Sequence, residues 1–225
     1  MPETIDDRTA RQPTQIGISF DLFGTLLKVE RPVDPTTAVA SSLSRYDIPV
    51  PQNWTSAYGQ PHLDVDPGRE CSLVDHVRAI LTADGTVPPE ANIEAALMDA
   101  FDTEVRVLPG ANRAISDAGA YGPVGILSNC TVPGLAEHYL HRSSLPDECL
   151  DAIVTSVGCG WRKPHPKAFQ TIADQLGVAV PNLVHIGDNP DTDGGASSAG
   201  AHAVLVDDDP LSEIEAVLEE AGCPR

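Results

Sequence analysis

Asp21 closes an apolar run, Ile16-Gly17-Ile18-Ser19-Phe20, and the chain turns directly afterwards at Gly24. A second apolar run, Val124-Gly125-Ile126-Leu127, ends at Ser128-Asn129. A later one, Leu183-Val184-His185-Ile186, ends at Gly187-Asp188, with Asp191 and Asp193 just beyond. Lys163 lies in the loop Gly158-Cys159-Gly160-Trp161-Arg162-Lys163-Pro164, between the last two runs. Short apolar runs bounded by turn residues read as buried strands. Their tips therefore carry a carboxylate, then a hydroxyl with an amide, then several carboxylates. Two or three carboxylates supply the hard oxygens that Mg²⁺ takes, and the ion leaves positions open for substrate phosphate. A lysine ammonium and a serine hydroxyl can hold the other phosphoryl oxygens as charge develops on them. These residue types point to metal-assisted chemistry on a phosphoryl group.

The groups converge only if the strands run parallel. From Leu108-Pro109-Gly110 onward, helical and strand patterns alternate: a helix at 111–118, a strand at 124–127 and a helix near 133–142. A strand at 152–156 follows, then the Lys163 loop, a helix at 166–176 and a strand at 183–186. A short helix near 194–199, a strand at 203–206 and an acidic C-terminal helix near 211–221 complete the series. Alternation of this kind implies an α/β fold, a Rossmann-like parallel sheet flanked by helices, with every strand tip opening on one edge.

Residues 30–107 read differently, as a mainly helical block with no convincing strand. Lys28 to Val33 is a polar exit from the first strand. Asp34-Pro35 has the form of an N-cap with Pro at the first helical position, and Val39, Leu43 and Tyr46 share one face of the helix that follows. Further helices are expected over 72–83 and from Pro88 or Pro89 to about Val105, with an irregular Pro- and Gly-rich stretch at 47–70. The expected organisation is a flexible leader at 1–15, an α/β core at 16–29 and 108–225, and a helical cap at 30–107.

The chain has 33 Asp and Glu against 14 Lys and Arg, a formal net charge of −19, and only three lysines, Lys28, Lys163 and Lys167. Such a surface repels nucleic acid and anionic membranes. The acids are scattered, as on a solvated surface suited to a salt-rich host. No apolar run reaches the length of a membrane span, and the N-terminus has no signal-peptide core, so a cytoplasmic monomer or homodimer is expected. The five cysteines form no CxxC pair and read as reduced thiols, with Cys130 and Cys159 as small buried residues.

In order and position, these strand tips resemble the motifs of the haloacid dehalogenase (HAD) superfamily. The matching segments are Asp21-Leu22-Phe23-Gly24-Thr25-Leu26, Ile126-Leu127-Ser128-Asn129, Arg162-Lys163-Pro164-His165-Pro166 and His185-Ile186-Gly187-Asp188-Asn189 with Asp193. The resemblance implies that Asp21 is the nucleophile, forming a covalent aspartyl intermediate. It implies Mg²⁺ held by Asp21, the Phe23 backbone carbonyl and Asp188, with Asp193 as a further acid whose role Asp191 could share or replace. It makes Ser128, with Asn129 assisting, the phosphate-binding group, and Lys163 the lysine that orients Asp21 and pairs with phosphate. Thr25, in the first motif, and Arg31, close behind it, are further substrate-binding candidates. The block at 30–107 is similar to the small helical cap of the family's dehalogenase- and phosphoglycolate-phosphatase-like members.

Phe23 departs from the family's phosphatases, which carry an acid–base Asp there. The haloacid dehalogenases have an aromatic residue at that position, but they use no Mg²⁺ and lack the acid matching Asp188. Three readings follow. The first is a Mg²⁺-dependent phosphatase of a small phosphorylated metabolite, slowed by Phe23. The others are a 2-haloacid dehalogenase-like hydrolase and a non-catalytic metabolite-binding protein. The paired acids favour the first, since without a cation they form an uncompensated negative cluster. His62, His76, Arg31, Arg69 and Arg78 are the helical-block candidates for proton donation or anion binding. Trp161 reads as a wedge between its loop and the core, and His165 as a residue serving the turn.

Overall fold

The computed structural model describes residues 15–30, 32–206 and 218–219. The expected leader lies outside these apart from Gln15, as does Arg31, and of the expected C-terminal helix only Leu218 and Glu219 are described, both helical.

Five parallel strands form the main sheet: β1 (Gly17–Phe20), β4 (Val124–Ser128), β5 (Ala152–Thr155), β6 (Leu183–Gly187) and β7 (His202–Leu205), in the order β5-β4-β1-β6-β7. β1 is central and is buried along its whole length, apolar except for Ser19. The chain leaves it for β4 and β5 on one side and comes back to β6 and β7 on the other. That reversal opens a crevice at the carboxyl end of β1, where α/β proteins bind ligands. Asp21 is the first residue past that end.

Between the sheet strands lie α5 (Ala111–Ala118), α6 (Leu135–Arg142), the short α7 (Ser156–Cys159), α8 (Pro166–Gln175) and α9 (Gly195–Ala199). Part of the stretch expected as the Lys163 loop is thus helical: α7 is capped by the Thr155 hydroxyl, which accepts from the Gly158 N–H at 3.2 Å.

The helical block contains α1 (Pro35–Arg45), α2 (Trp54–Tyr58), α3 (Leu73–Ala83) and α4 (Glu90–Phe101). The Asp34 side chain caps α1, accepting from the N–H groups of Thr36 and Thr37, and Ser72 caps α3. Two expectations fail here. α4 stops at Phe101, and residues 105–107 form a strand, β3, that pairs antiparallel with β2 (Leu27–Val29). Lys28 and Val29, the start of the segment expected as a polar exit, thus belong to a two-stranded ribbon. Three-residue strands are too short to show a period, and only their mutual pairing defines them. The stretch at 47–70 likewise hides α2, whose Trp54 is buried with its indole N–H donating to the Thr36 carbonyl at 2.9 Å. One apolar cluster runs through both parts, joining Ile18, Phe20 and Ile126 of the sheet to Val39, Leu43 and Ile93 of the helical block.

Candidate active site

Asp21, Ser128 and Asp188 stand at the carboxyl ends of β1, β4 and β6, and Lys163 follows α7 in the connection after β5. Asp21 follows β1 and is 7% exposed, and its backbone N–H donates to the Ile186 carbonyl on β6 at 2.8 Å. Burial pushes its carboxyl above the ordinary value; the Lys163 ammonium pulls it back, and the Asp193 charge raises it again. Lys163 is 2% exposed, and its Nζ donates to Asp21 Oδ1 at 2.8 Å and to Asp193 Oδ1 at 2.6 Å. A buried ammonium needs such partners, because an unpaired one carries a large desolvation cost. Asn129 holds the lysine's backbone. Its Oδ1 accepts from the Lys163 N–H at 2.8 Å, and its Nδ2 donates to the Lys163 carbonyl at 3.0 Å. That clamp ties the tip of β4 to the third motif.

Asp193 is held on all sides. Its Oδ1 also accepts from His185 Nε2 at 3.0 Å, and its Oδ2 from the Asn189 N–H at 3.0 Å. Burial pushes its carboxyl upward, but the hydrogen bond from His185 and the charge of Lys163 outweigh this and hold it well below the usual carboxylate range. His185 is fully buried and pushed down to about 4, by burial first and the neighbouring ammonium second. Its tautomer follows from its partners. A carboxylate only accepts, so Nε2 carries the proton, and Nδ1 accepts from the Ser19 hydroxyl at 2.9 Å. The 3.4 Å approach of Lys163 Nζ to Nε2 is then a contact between two donors.

Asp188 is exposed and accepts from the Thr25 hydroxyl at 3.3 Å. Thr25 is buried, so its place is behind Asp188. Gly24 permits this approach: its φ is +101°, and a Cβ there would stand 2.5 Å from an Asp188 carboxylate oxygen. Gly187 does the same for Asp193, whose Cγ would lie 2.2 Å from an added Cβ.

Asp21, Asp188 and Asp193 each bring an oxygen within 4.8 Å of the others. A set of hard oxygens this close fits a divalent cation such as Mg²⁺. Asp191 is exposed and outside that grouping. Ser128 Oγ is buried with no hydrogen-bond partner among the described residues, which fits a group placed to meet a ligand oxygen.

The other candidates lie elsewhere. His62 Nε2 meets the Ala57 carbonyl, His76 Nε2 meets the Tyr58 carbonyl, and Arg78 pairs with Asp75 and Glu90. Arg69 packs over the Trp161 ring, which stacks on His165 at 4.2 Å. His165 also caps α8, its Nδ1 accepting from the Lys167 N–H. Cys130 is buried and Cys159 half-buried.

Sequence reasoning missed Ser19 and His185 as parts of the site. A signal was present, for each is a polar residue inside an otherwise apolar run, and the two face each other in register across β1 and β6. It also missed a cavity of about 520 Å³ beside the acidic cluster, walled by Phe23, Tyr58, Phe101, Val132, Leu135 and Tyr139 among others.

A family model described as haloacid dehalogenase-like hydrolase matches residues 17–200. A Mycobacterium tuberculosis protein called Phosphatase MT3486 is 34% identical over 124 residues, covering 51% of this chain and 57% of that protein, so the alignment spans little more than half of that relative. A HAD family enzyme from Bacteroides thetaiotaomicron, solved with magnesium and inorganic phosphate, superposes at TM-score 0.56 and 14% identity, covering 86% of this chain and 95% of that one. A structure described as a dehalogenase superposes at TM-score 0.51 and 21% identity, covering 91% of this chain and 87% of that one. At these identities the structures share the fold.

Proposed function

This chain belongs to the haloacid dehalogenase-like hydrolases, and from that premise we propose that it is a Mg²⁺-dependent phosphatase acting on a small phosphorylated molecule through an aspartyl-phosphate on Asp21. The observation that carries the reading is the charge balance of the site. Three carboxylates, Asp21, Asp188 and Asp193, gather within 4.8 Å of one another, and one ammonium, Lys163, lies among them. Two negative charges are left over, and a divalent cation with an anionic substrate answers them better than a neutral carbon–halogen centre.

Asp193 gives both oxygens to protein donors, whereas Asp21 gives one to Lys163 and Asp188 one to Thr25. Asp21 and Asp188 would therefore hold the ion, with Asp193 behind them. Bound there, Mg²⁺ supplies charge neutralisation on the transferring phosphoryl oxygens.

In the reaction, an Asp21 oxygen attacks phosphorus and the ester P–O bond breaks, its electron pair leaving with the departing oxygen. Lys163 keeps the carboxylate oriented through Oδ1, and the Ser128 hydroxyl donates to a phosphoryl oxygen. Water then attacks the aspartyl-phosphate. Its oxygen bonds phosphorus, its two protons end on oxygens of the phosphate, the acyl P–O bond breaks, dihydrogen phosphate departs, and the Asp21 carboxylate is restored. The residues at 30–107 act as a cap over this edge.

The test is a panel of phosphate esters assayed in molar potassium chloride with Mg²⁺. Phosphate release lost both in Asp21→Asn and on chelation is the expected result. Chloride release from 2-haloacids without metal would overturn the reading in favour of a dehalogenase, for which Phe23 beside an apolar cavity is the one supporting observation. Folded protein that turns over neither class would favour the non-catalytic reading.

A further inference from the structure

The acidic edge can hold a phosphoryl group, but it says nothing about what the phosphate leaves. That information lies in the 520 Å³ cavity next to it. Phe23 and Gly24, from the loop carrying Asp21, and Asn129, beside Ser128, form the wall nearest the site. The far walls come from the helical block, through Tyr58, Leu73 and Phe101, and from the segment at 130–139. Its volume is within the range of about 300–1,000 Å³ over which small-molecule sites occur.

Two properties of this cavity bear on the leaving group. The first is apolarity. Phe23 meets Tyr139 edge to face, with ring centroids 5.9 Å apart, and Val132, Leu135, Leu73 and Phe101 surround the pair. Aromatic walls of this geometry favour a flat apolar guest. Lys28, exposed on β2, is the one charged side chain among the described lining residues.

The second property is the kind of proton donor present. No described lining residue carries a carboxylate or an imidazole, the groups whose protons are available near neutrality. The Tyr139 hydroxyl already donates to the Phe101 carbonyl and sits 2.9 Å from the Thr103 hydroxyl. Burial raises the Tyr58 hydroxyl, so it too is a weak acid. Phe23, two residues past Asp21, lines the cavity with a ring that has no proton to give.

The geometry points to an aryl phosphate as the substrate class: the monoester of a phenol whose ring occupies this cavity and whose oxygen departs as phenolate, without a proton from the protein. The inference rests on the phosphatase reading and adds the identity of the leaving group. The P–O electron pair leaves on the phenolate, which takes a proton from solvent after release. A phenol loses its proton about six powers of ten more readily than a simple alcohol, as the tyrosine value of about 10 against bulk water near 15.7 illustrates. An alkoxide would need a donor of the kind absent from the described lining residues, whereas a phenolate does not.

The test compares four substrates on the Mg²⁺-loaded full chain: phenyl phosphate, benzyl phosphate, glycerol 3-phosphate and acetyl phosphate. Phenyl and benzyl phosphate present similar apolar bodies and differ in the leaving oxygen. Loss of general acid catalysis is worth a factor of about 10²–10⁴, so kcat/KM for phenyl phosphate should exceed that for benzyl phosphate by about 10² or more. Acetyl phosphate has a good leaving group and no ring, and its KM should exceed that of phenyl phosphate by about tenfold.

In Phe23→Asp the phenyl-to-benzyl ratio should narrow by about tenfold as a donor is restored. The wild-type series stands alone should that variant fold poorly. Benzyl or glycerol phosphate turned over within tenfold of phenyl phosphate would overturn the aryl assignment and leave the phosphatase reading standing. So would acetyl phosphate binding as tightly as phenyl phosphate. Failure of all four substrates under Mg²⁺ would remove both.

Discussion

The acidic edge of the sheet and the cavity beside it are built on opposite principles. At the edge, Asp21, Lys163, Asp193 and His185 are buried and joined by hydrogen bonds of 2.6–3.0 Å along the chain Asp21–Lys163–Asp193–His185. Every member depends on its neighbours, because each would be costly alone in a medium of low polarity. The cavity wall is made mostly of apolar residues that satisfy one another by area and have few fixed polar partners to keep. Such a wall can change its contents at little cost in stability, while the edge cannot. Under the proposed function, the edge would keep the reaction constant and the cavity would choose the substrate.

The contrast breaks most visibly at Asp21. Asp21→Asn should lower phosphate release by roughly 10⁴-fold or more, the scale on which a lone nucleophile's removal acts. Its melting temperature should move much less than that of Lys163→Met. If Asp21→Asn keeps even a tenth of its activity, the edge is not where the chemistry happens. Lys163→Met strips Asp21 and Asp193 of the ammonium they share and should cost about 3–5 kcal/mol in denaturant unfolding. A loss below about 1 kcal/mol, the scale of an exposed pair, would mean that the network is solvated and that the two regions are built more alike.

His185 is held neutral down to about pH 4, while the same imidazole in the unfolded chain protonates near 6.5. Between those values the unfolded state binds the extra proton, so stability rises with pH there and is lost on acidification. The loss from this one group should approach about 3 kcal/mol between pH 6.5 and 4. Unfolding measured across that window should be steeper for the wild type than for His185→Gln, and equal slopes would show that His185 does not set the dependence. The smallest effect belongs to the cavity: Val132→Ala should cost about 1–2 kcal/mol of stability. It should act on KM for aryl phosphates more than on kcat, whereas a change confined to kcat would place Val132 with the edge.

Much of the edge is legible in the amino-acid sequence. The apolar runs leading to Asp21, Ser128 and Asp188 are β1, β4 and β6, and the parallel direction of the sheet follows from the alternation of strands with helices. Legibility fails where an element is defined only by its partner. The three-residue ribbon of β2 and β3 has no period of its own, and α2 sits in a stretch whose prolines and glycines mask it. Asp191 and Asp193 cannot be ranked by sequence, since both follow Asp188 closely. The folded turn puts Asp193 against Lys163 and His185 and leaves Asp191 exposed.

By itself, then, the sequence determined which residues stand at strand tips, because burial period and turn residues are local properties of a chain. It also determined that Phe23 brings no proton to the site, since that is a matter of residue type. Only the tertiary structure decided that Ser19 and His185 stand behind Asp193, that Asn129 clamps Lys163, and that an apolar cavity opens beside Phe23. Asn129 and Lys163 are 34 positions apart and Ser19 and His185 are 166 apart. No local pattern encodes contacts that form only when the crossovers close on one sheet.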